Sequence, residues 1–274
     1  MQKNNQVFEN FSNYHRQRNP LILGNVWDVP SALQLQKLGF KALGTSSAAI
    51  ASILGYEDGE QMPFSEYVFI IKRIAASTSL PLSVDLEAGY GNDPETVANN
   101  ILRLSKLGVV GINLEDSVVQ NGTRRLVDIA VFQGKLESIH RLLKTDDVNV
   151  FINMRIDTFL LGLPEALEES KDRINQYSSF VDGIFLPCIS SEQDIKQIVD
   201  HTSLPLNVMS MPGLPDFKRL RDLGVKRIST GNFLHDFMKQ TFNREVSEIV
   251  EQKDFNAFFS HLSKIKIDVA NGTT

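Results

Sequence analysis

Short apolar runs rich in β-branched residues alternate along this chain with stretches whose apolar positions recur every three or four residues. The first pattern marks buried strands and the second amphipathic helices. The strand-like runs fall at residues 21–26, 42–45, 82–87, 110–115, 150–156, 183–187, 206–209 and 227–230. Helical spacing is clearest at 94–107 and 163–177. The punctuation repeats: Leu38-Gly39, Leu107-Gly108 and Leu223-Gly224 each place a glycine where a left-handed C-cap ends a helix before the next strand. Two strands follow near-identical entries, Thr78-Ser79-Leu80-Pro81-Leu82 and Thr202-Ser203-Leu204-Pro205-Leu206, with the proline ahead of the ladder, where it costs no hydrogen bond.

A series of about eight βα units predicts a parallel sheet closed into a (β/α)8 TIM barrel, an α/β fold. An open doubly wound sheet is the alternative, but no Gly-x-Gly-x-x-Gly follows the first strand. The expected organisation is a single barrel domain over 1–274, with a C-terminal helical extension from about residue 233. That tail reads as two or three further helices, at 233–240, 244–252 and 254–264, more than a bare barrel needs.

Composition narrows the function classes. The 274 residues, 42% hydrophobic and 22% charged, suffice for a large core. A net charge of −5 offers no basic face, so no nucleic-acid partner is expected. No run approaches the roughly 18 apolar residues of a membrane span, and the first twenty residues are polar and aromatic, unlike a signal peptide. Cys188 is the only cysteine, which rules out an intrachain disulfide. A cytoplasmic protein without membrane partners is the expectation.

The chemistry concentrates at predicted strand ends. Asp85 and Glu87 are two apart on one strand and are expected on the same, inner face at its C-terminal end, where barrel active sites are built. The next strand brings Asn113 and Glu115 beside them. Converging carboxylates repel by about 4 kcal/mol per pair at 4 Å and an effective dielectric near 20. Either some are protonated, or they pair with Arg155, or a hard cation, Mg²⁺ or Mn²⁺, holds them. Thr45-Ser46-Ser47-Ala48 puts small residues at a strand-to-helix turn whose backbone N–H groups suit an oxyanion. Arg155 ends the fifth strand, where it clamps a carboxylate or pairs with the acids opposite. Residues 116–133 make a connection long enough for a lid. Gly122 is its expected flexible point; Arg124 and Arg125 either meet an anionic substrate or stay solvated or paired with Asp128.

With these residues in place, the chain resembles the isocitrate lyase/phosphoenolpyruvate mutase superfamily. The resemblance rests on Asn25-Val26-Trp27-Asp28, Thr45-Ser46-Ser47-Ala48, Leu54-Gly55-Tyr56-Glu57-Asp58, Asp85-Leu86-Glu87-Ala88-Gly89-Tyr90-Gly91, Gly111-Ile112-Asn113-Leu114-Glu115-Asp116, Arg155 and Leu206-Asn207-Val208-Met209, in the family's order. It implies Asp85 as direct ligand of Mg²⁺ (or Mn²⁺), with Asp58, Glu87 and Glu115 holding the ion through waters. It also implies a substrate-binding set of Ser46, Ser47, Ala48, Asn113, Asn207 and Arg155, with Trp27 as pocket wall or plain core residue. Asp58, Arg155 and Arg124 are the candidate catalytic side chains. A homodimer or homotetramer with an exchanged C-terminal helix is implied, and Phe255, Phe258, Phe259, Leu262 and Ile265 form an apolar stripe that suits it.

The loop after Glu115 departs from the family. Lyases that cleave isocitrate or methylisocitrate carry a Lys-Lys-Cys-Gly-His-type segment there, whereas residues 117–126 contain neither Cys nor His. Phosphonopyruvate-processing members carry a lysine in that loop and a histidine after the sixth strand; here the loop has Asn121 without lysine, and Pro187 stands near the histidine's place. The expected function is an Mg²⁺-dependent lyase acting on a small α-oxo dicarboxylate through an enolate, in the manner of an oxaloacetate decarboxylase or a retro-aldol enzyme. The alternatives are a P–C mutase or hydrolase and a degenerate barrel that binds an oxo acid without turnover.

Overall fold

In the computed structural model, which describes residues 2–256 and 259, the chain opens with helix α1 (Gln2–Tyr14), strand β1 (Leu21–Val26), α2 (Val29–Lys37), β2 (Leu43–Thr45), α3 (Ser47–Leu54) and α4 (Phe64–Ser77). It continues through β3 (Leu82–Asp85), α5 (Pro94–Ser105), β4 (Val109–Glu115), the short pair β5 (Ser117–Gln120) and β6 (Thr123–Leu126), and α6 (Ile129–Thr145). Then follow β7 (Phe151–Arg155), α7 (Ala166–Tyr177), β8 (Gly183–Leu186), α8 (Glu192–His201), β9 (Leu206–Met209), α9 (Phe217–Leu223), β10 (Arg227–Ser229) and α10 (Phe233–Gln252). Eight strands close in the order β1-β10-β9-β8-β7-β4-β3-β2, every neighbouring pair parallel. The fold is the (β/α)8 TIM barrel expected from the alternation of runs.

Two compact units divide the chain, one ending at Phe233 and one beginning at Leu234. The tail differs from expectation: 233–252 is one continuous helix rather than two, because the poor helix formers around Asn243 weaken a helix without breaking it. The further helix at 254–264 and the residues Phe258, Leu262 and Ile265 of the expected stripe lie outside the described residues, while Phe255 and Phe259 are exposed. Among the described residues no helix is long and apolar enough to cross a membrane.

Helix α1 was not foreseen. Only Val7, Phe8, Phe11 and Tyr14 give it an apolar face, and these pack with Leu21, Leu23, Ala42, Val110 and Phe151 at the N-terminal end of the barrel. Phe11 is fully buried. It enters where Gly111 leaves room, since a Cβ there would lie 2.8 Å from the Phe11 ring. His15 stacks on Phe151 with ring centroids 4.3 Å apart. This helix floors the barrel and leaves its opposite end open.

Between β4 and α6, the expected lid is an antiparallel β5–β6 hairpin. Its turn is Asn121-Gly122, with φ of 51° and 72°, the backbone that a two-residue type I′ turn requires. Gly122 is therefore a tight reversal rather than a flexible point. The hairpin's ends meet where Val127 N–H donates to the Asp116 carbonyl at 2.8 Å.

Candidate active site

The open end of the barrel holds a cavity of about 420 Å³. Its lining includes the polar Ser47, Asp58, Asp85, Asn113, Arg124 and Arg155, and the apolar Leu160, Leu161, Phe185, Pro187 and Met209. Most of the polar side chains come from strand ends, as the periodicity predicts, and Asp58 from the turn after α3.

Asp85 is the most fully constrained. Its backbone N–H donates to Thr45 Oγ1 at 3.0 Å and its carbonyl accepts from the Tyr67 hydroxyl at 2.7 Å. One carboxylate oxygen accepts from Ser47 Oγ at 2.9 Å and the other from Asn113 Nδ2 at 3.3 Å. Asn113 is turned that way because its Oδ1 accepts from Asn153 Nδ2 at 2.9 Å and from Arg227 Nη2 at 3.3 Å. Arg227 is buried inside the barrel, and burial lowers its pKa to about 9 against the opposing pull of Asp85. Ser46 Oγ caps α3 by accepting from Ala49 N–H at 3.2 Å. The Ser47 and Ala48 amides in the first turn of α3 have no intrahelical acceptor by geometry and face the cavity end of the helix.

Glu87 is not where strand alternation puts it. Strand β3 ends at Asp85, and Glu87 has a left-handed φ of 52°, so the period of two is broken before it. Its carboxylate accepts from Glu60 N–H at 2.9 Å and Tyr90 O–H at 3.0 Å. Burial, followed by the charges of Asp58, Glu115 and Asp85, pushes it up to about 8. Glu87 and Glu115 line a smaller neighbouring cavity of about 260 Å³ under the hairpin, not the mouth cavity itself.

Glu115 lies between two guanidiniums. Arg155 Nη1 approaches one oxygen at 2.8 Å and Arg124 contacts the other. Burial drives this carboxyl upward, and Arg155 and Arg124 pull it back. Asp157, which the sequence reading passed over, binds both arginines: Arg155 Nε at 2.6 Å and Arg124 Nη1 at 3.2 Å. Arg124 also reaches Asp58 at 3.5 Å, whereas Arg125 is exposed on the outer face of the hairpin. Alternation along β6 decides between the two arginines. Trp27 and Asn207 are buried but do not line the mouth cavity; Asn207 donates to Ser229 Oγ at 3.1 Å. The signal for Asp157 was available, two residues past Arg155 and on the same face.

The donor set fits a hard divalent ion. Five carboxylates, of Asp58, Asp85, Glu87, Glu115 and Asp157, are gathered around Arg124 and Arg155, with Arg227 acting on Asp85 from inside the barrel. Burial and then the charge of Asp85 raise the Asp58 pKa, so these two acids crowd each other without a cation. Among the described residues no three His, Cys, Asp or Glu side chains form a ready-made cage, which suits an ion that keeps several waters.

Comparison with known proteins identifies the family. Residues 11–250 match the family model of phosphoenolpyruvate phosphomutase. An uncharacterized protein of Mycobacterium tuberculosis (strain ATCC 25618 / H37Rv) is 32% identical over 223 residues, 81% of either chain. Oxaloacetate decarboxylase 1 of Pseudomonas fluorescens (strain Pf0-1) is 31% identical over 211 residues, 74% of this chain and 70% of that one. The crystal structure of a provisionally assigned phosphonomutase from Burkholderia cenocepacia J2315 superposes with a TM-score of 0.83 at 34% identity, covering 89% of this chain and 99% of that one. The chain belongs to the phosphoenolpyruvate phosphomutase family, within the isocitrate lyase/phosphoenolpyruvate mutase superfamily of lyases and mutases.

Proposed function

We propose that this protein is a Mg²⁺- or Mn²⁺-dependent lyase that breaks the bond to the C3 substituent of a small α-oxo dicarboxylate, with oxaloacetate the simplest substrate. The observation that carries the reading is the mouth cavity, whose lining joins Asp58, Asp85, Arg124 and Arg155 to Ser46, Ser47 and Ala48 at the start of α3 and to the apolar Leu160, Leu161, Phe185, Pro187 and Met209. Asp85, with Asp58 beside it, would hold the ion, which supplies a Lewis acid for the negative charge that develops on the substrate's oxo oxygen. The Ser47 and Ala48 amides bind the adjacent carboxylate. Arg155 and Arg124, already fixed by Glu115 and Asp157, orient the second carboxylate with little further ordering cost. In oxaloacetate the C3–C4 electron pair flows into the enolate of pyruvate and the leaving fragment is uncharged CO₂. The apolar lining excludes water there.

The similarity to a provisionally assigned phosphonomutase supports a second reading, P–C bond chemistry. The loop over 117–126, which has no lysine, and Pro187, which stands near the place of the family's histidine, weigh against it. A single assay series separates the readings. Oxaloacetate with Mg²⁺ should release pyruvate faster than the metal alone achieves, and EDTA or Asp85→Ala should abolish the difference, with Glu115→Ala less damaging to Mn²⁺ affinity. Interconversion of phosphonopyruvate and phosphoenolpyruvate by ³¹P NMR would favour the second reading. Mn²⁺ binding without either turnover would leave only an oxo-acid-binding barrel. Isocitrate and methylisocitrate should stay intact, since residues 117–126 offer no Cys or His.

We also propose a homo-oligomer in which α10 seats on a second copy. Phe237, Phe242 and Val250 on α10 are 66–70% exposed. Separately, the first unit has an apolar groove lined by Ile22, Leu38, Phe40 and Phe217, with Ile22 exposed on a barrel strand. Two unpaired apolar surfaces on one chain suit reciprocal exchange. Light scattering at micromolar concentration should give a dimer or tetramer; a monomer would overturn this.

A further inference from the structure

Three non-glycine residues near the cavity have left-handed backbones: Glu60 (φ 60°), Glu87 (52°) and Tyr90 (54°). Such conformations are costly and persist where the surroundings over-determine them. Here the three are bonded to one another in a closed ring. Glu60 N–H donates to Glu87 Oε2 at 2.9 Å, Tyr90 O–H donates to Glu87 Oε1 at 3.0 Å, and Tyr90 N–H donates to Glu60 Oε1 at 2.6 Å.

The ring joins two loops. One carries Asp58, two residues before Glu60; the other leaves β3 immediately after Asp85 and carries Glu87 and Tyr90. Its second loop is braced from outside: Asn100 Nδ2 donates to the Gly89 and Tyr90 carbonyls at 2.9 and 3.1 Å, and Lys135 Nζ to those of Ala88 and Gly91 at 3.1 and 3.0 Å. The Tyr90 ring stacks on Tyr67 with centroids 5.6 Å apart, and the Tyr67 hydroxyl holds the Asp85 carbonyl. Both ends of the Asp58–Asp85 pair are thus tied to one buried assembly. The Asp58 side chain is 47% exposed on the turn Asp58-Gly59-Glu60, and the ring adds a backbone tie at Glu60 to its contact with Arg124.

We propose that Glu60 and Tyr90 are positioning residues that lock the Asp58 loop onto the Asp85 loop, with Glu87 the acceptor at the centre of the lock. This rests on the reading of Asp58 and Asp85 as the divalent-ion site. Each Glu87 oxygen accepts one hydrogen bond within the ring, and through Glu60 the ring ties Glu87 to the loop that carries Asp58. Groups that orient a metal ligand typically change affinity by 10- to 100-fold when removed, and a 1 Å misplacement costs a comparable factor in rate.

The test uses Glu60→Ala, which removes the acceptor for Tyr90 N–H, Glu60→Gln, which keeps a carbonyl oxygen there, and Tyr90→Phe, which keeps the ring on Tyr67. Metal-free crystal structures read the Asp58 position, and Mn²⁺ titration by electron paramagnetic resonance reads affinity. In Glu60→Ala the Asp58 carboxyl should move by about 1 Å or more and Mn²⁺ affinity should fall roughly tenfold. Glu60→Gln should restore both to near the wild-type values. If Glu60→Ala does not fold, Tyr90→Phe carries the same two readouts, with a smaller loss. An unmoved Asp58 in the removing variants, or equal losses in Glu60→Gln and Glu60→Ala, overturns the lock. Wild-type protein that binds no Mn²⁺ would instead sink the metal reading, while the lock would still stand or fall on the position of Asp58 in the metal-free crystals.

Discussion

The floor and the mouth of the barrel are built from the two ends of the same strands, and they treat charge in opposite ways. On β7, Phe151 lies at the floor and Arg155 at the mouth, four residues apart. Floor packing is aromatic and close: Phe11, His15 and Phe151 meet edge-on or stacked. The one ionisable ring there, His15, donates from Nδ1 to the Phe11 carbonyl at 2.9 Å. Burial, and then the nearby charge of Arg227, hold its pKa down at about 3, so it stays neutral. At the mouth, carboxylates and guanidiniums are gathered into ion pairs. One end is dominated by aromatic packing and gains cohesion; the other accepts desolvation and strain to hold polar groups in fixed directions.

Changes at the two ends should therefore separate stability from turnover. Phe11→Ala should cost about 3–5 kcal/mol by urea unfolding, the usual penalty for emptying a buried aromatic site, while kcat of the folded fraction stays constant. A fall in kcat would mean that floor and mouth are coupled. Arg124→Ala should lower kcat/KM for oxaloacetate roughly 10- to 100-fold, the worth of charge-assisted hydrogen bonds, and leave Mg²⁺ affinity in place. Arg125→Ala, on the outer face of the hairpin, should do neither; equal effects would contradict the alternation seen along β6.

The most gradual effect is a slope in pH. The folded pKa of His15, about 3, lies below its ordinary value of 6.5, so the unfolded chain binds the extra proton between them. Stability from the neutral ring is fully present above 6.5 and is lost as pH falls toward 3, by about 1.4 kcal/mol per unit in mid-window. His15→Phe should flatten that part of the curve in calorimetric melts. An unchanged slope would overturn the assignment of that acid sensitivity to His15.

The barrel was legible because its strands are short apolar runs rich in β-branched residues and several of its helices end at glycines. Strands β1 and β9 fall where the runs put them, and Gly39, Gly108 and Gly224 all have left-handed φ. Helix α1 was hidden because four apolar residues in a polar stretch give little periodic signal until the barrel floor supplies their partner. Asp85, Asn113 and Arg155 were legible through strand alternation, which placed each at a C-terminal end. Glu87 was misplaced because that rule stops where the backbone turns left-handed, and nothing local to Asp85-Leu86-Glu87 announces the turn. Glu60, Tyr67 and Tyr90 escaped notice because their roles depend on contacts between separate loops.

The meeting of the hairpin's two ends at Asp116 and Val127 has a consequence for how such barrels diversify. A segment whose entry and exit are clasped by one backbone hydrogen bond is a detachable cassette. β4 pairs directly with β7 over five consecutive residues regardless of what lies between them. The hairpin can be lengthened, shortened or recoded without shifting the register of the eight strands. Substrate choice in this architecture is therefore free to change in steps that never touch the scaffold: Arg124 travels with the cassette, while Asp85 stays with the barrel.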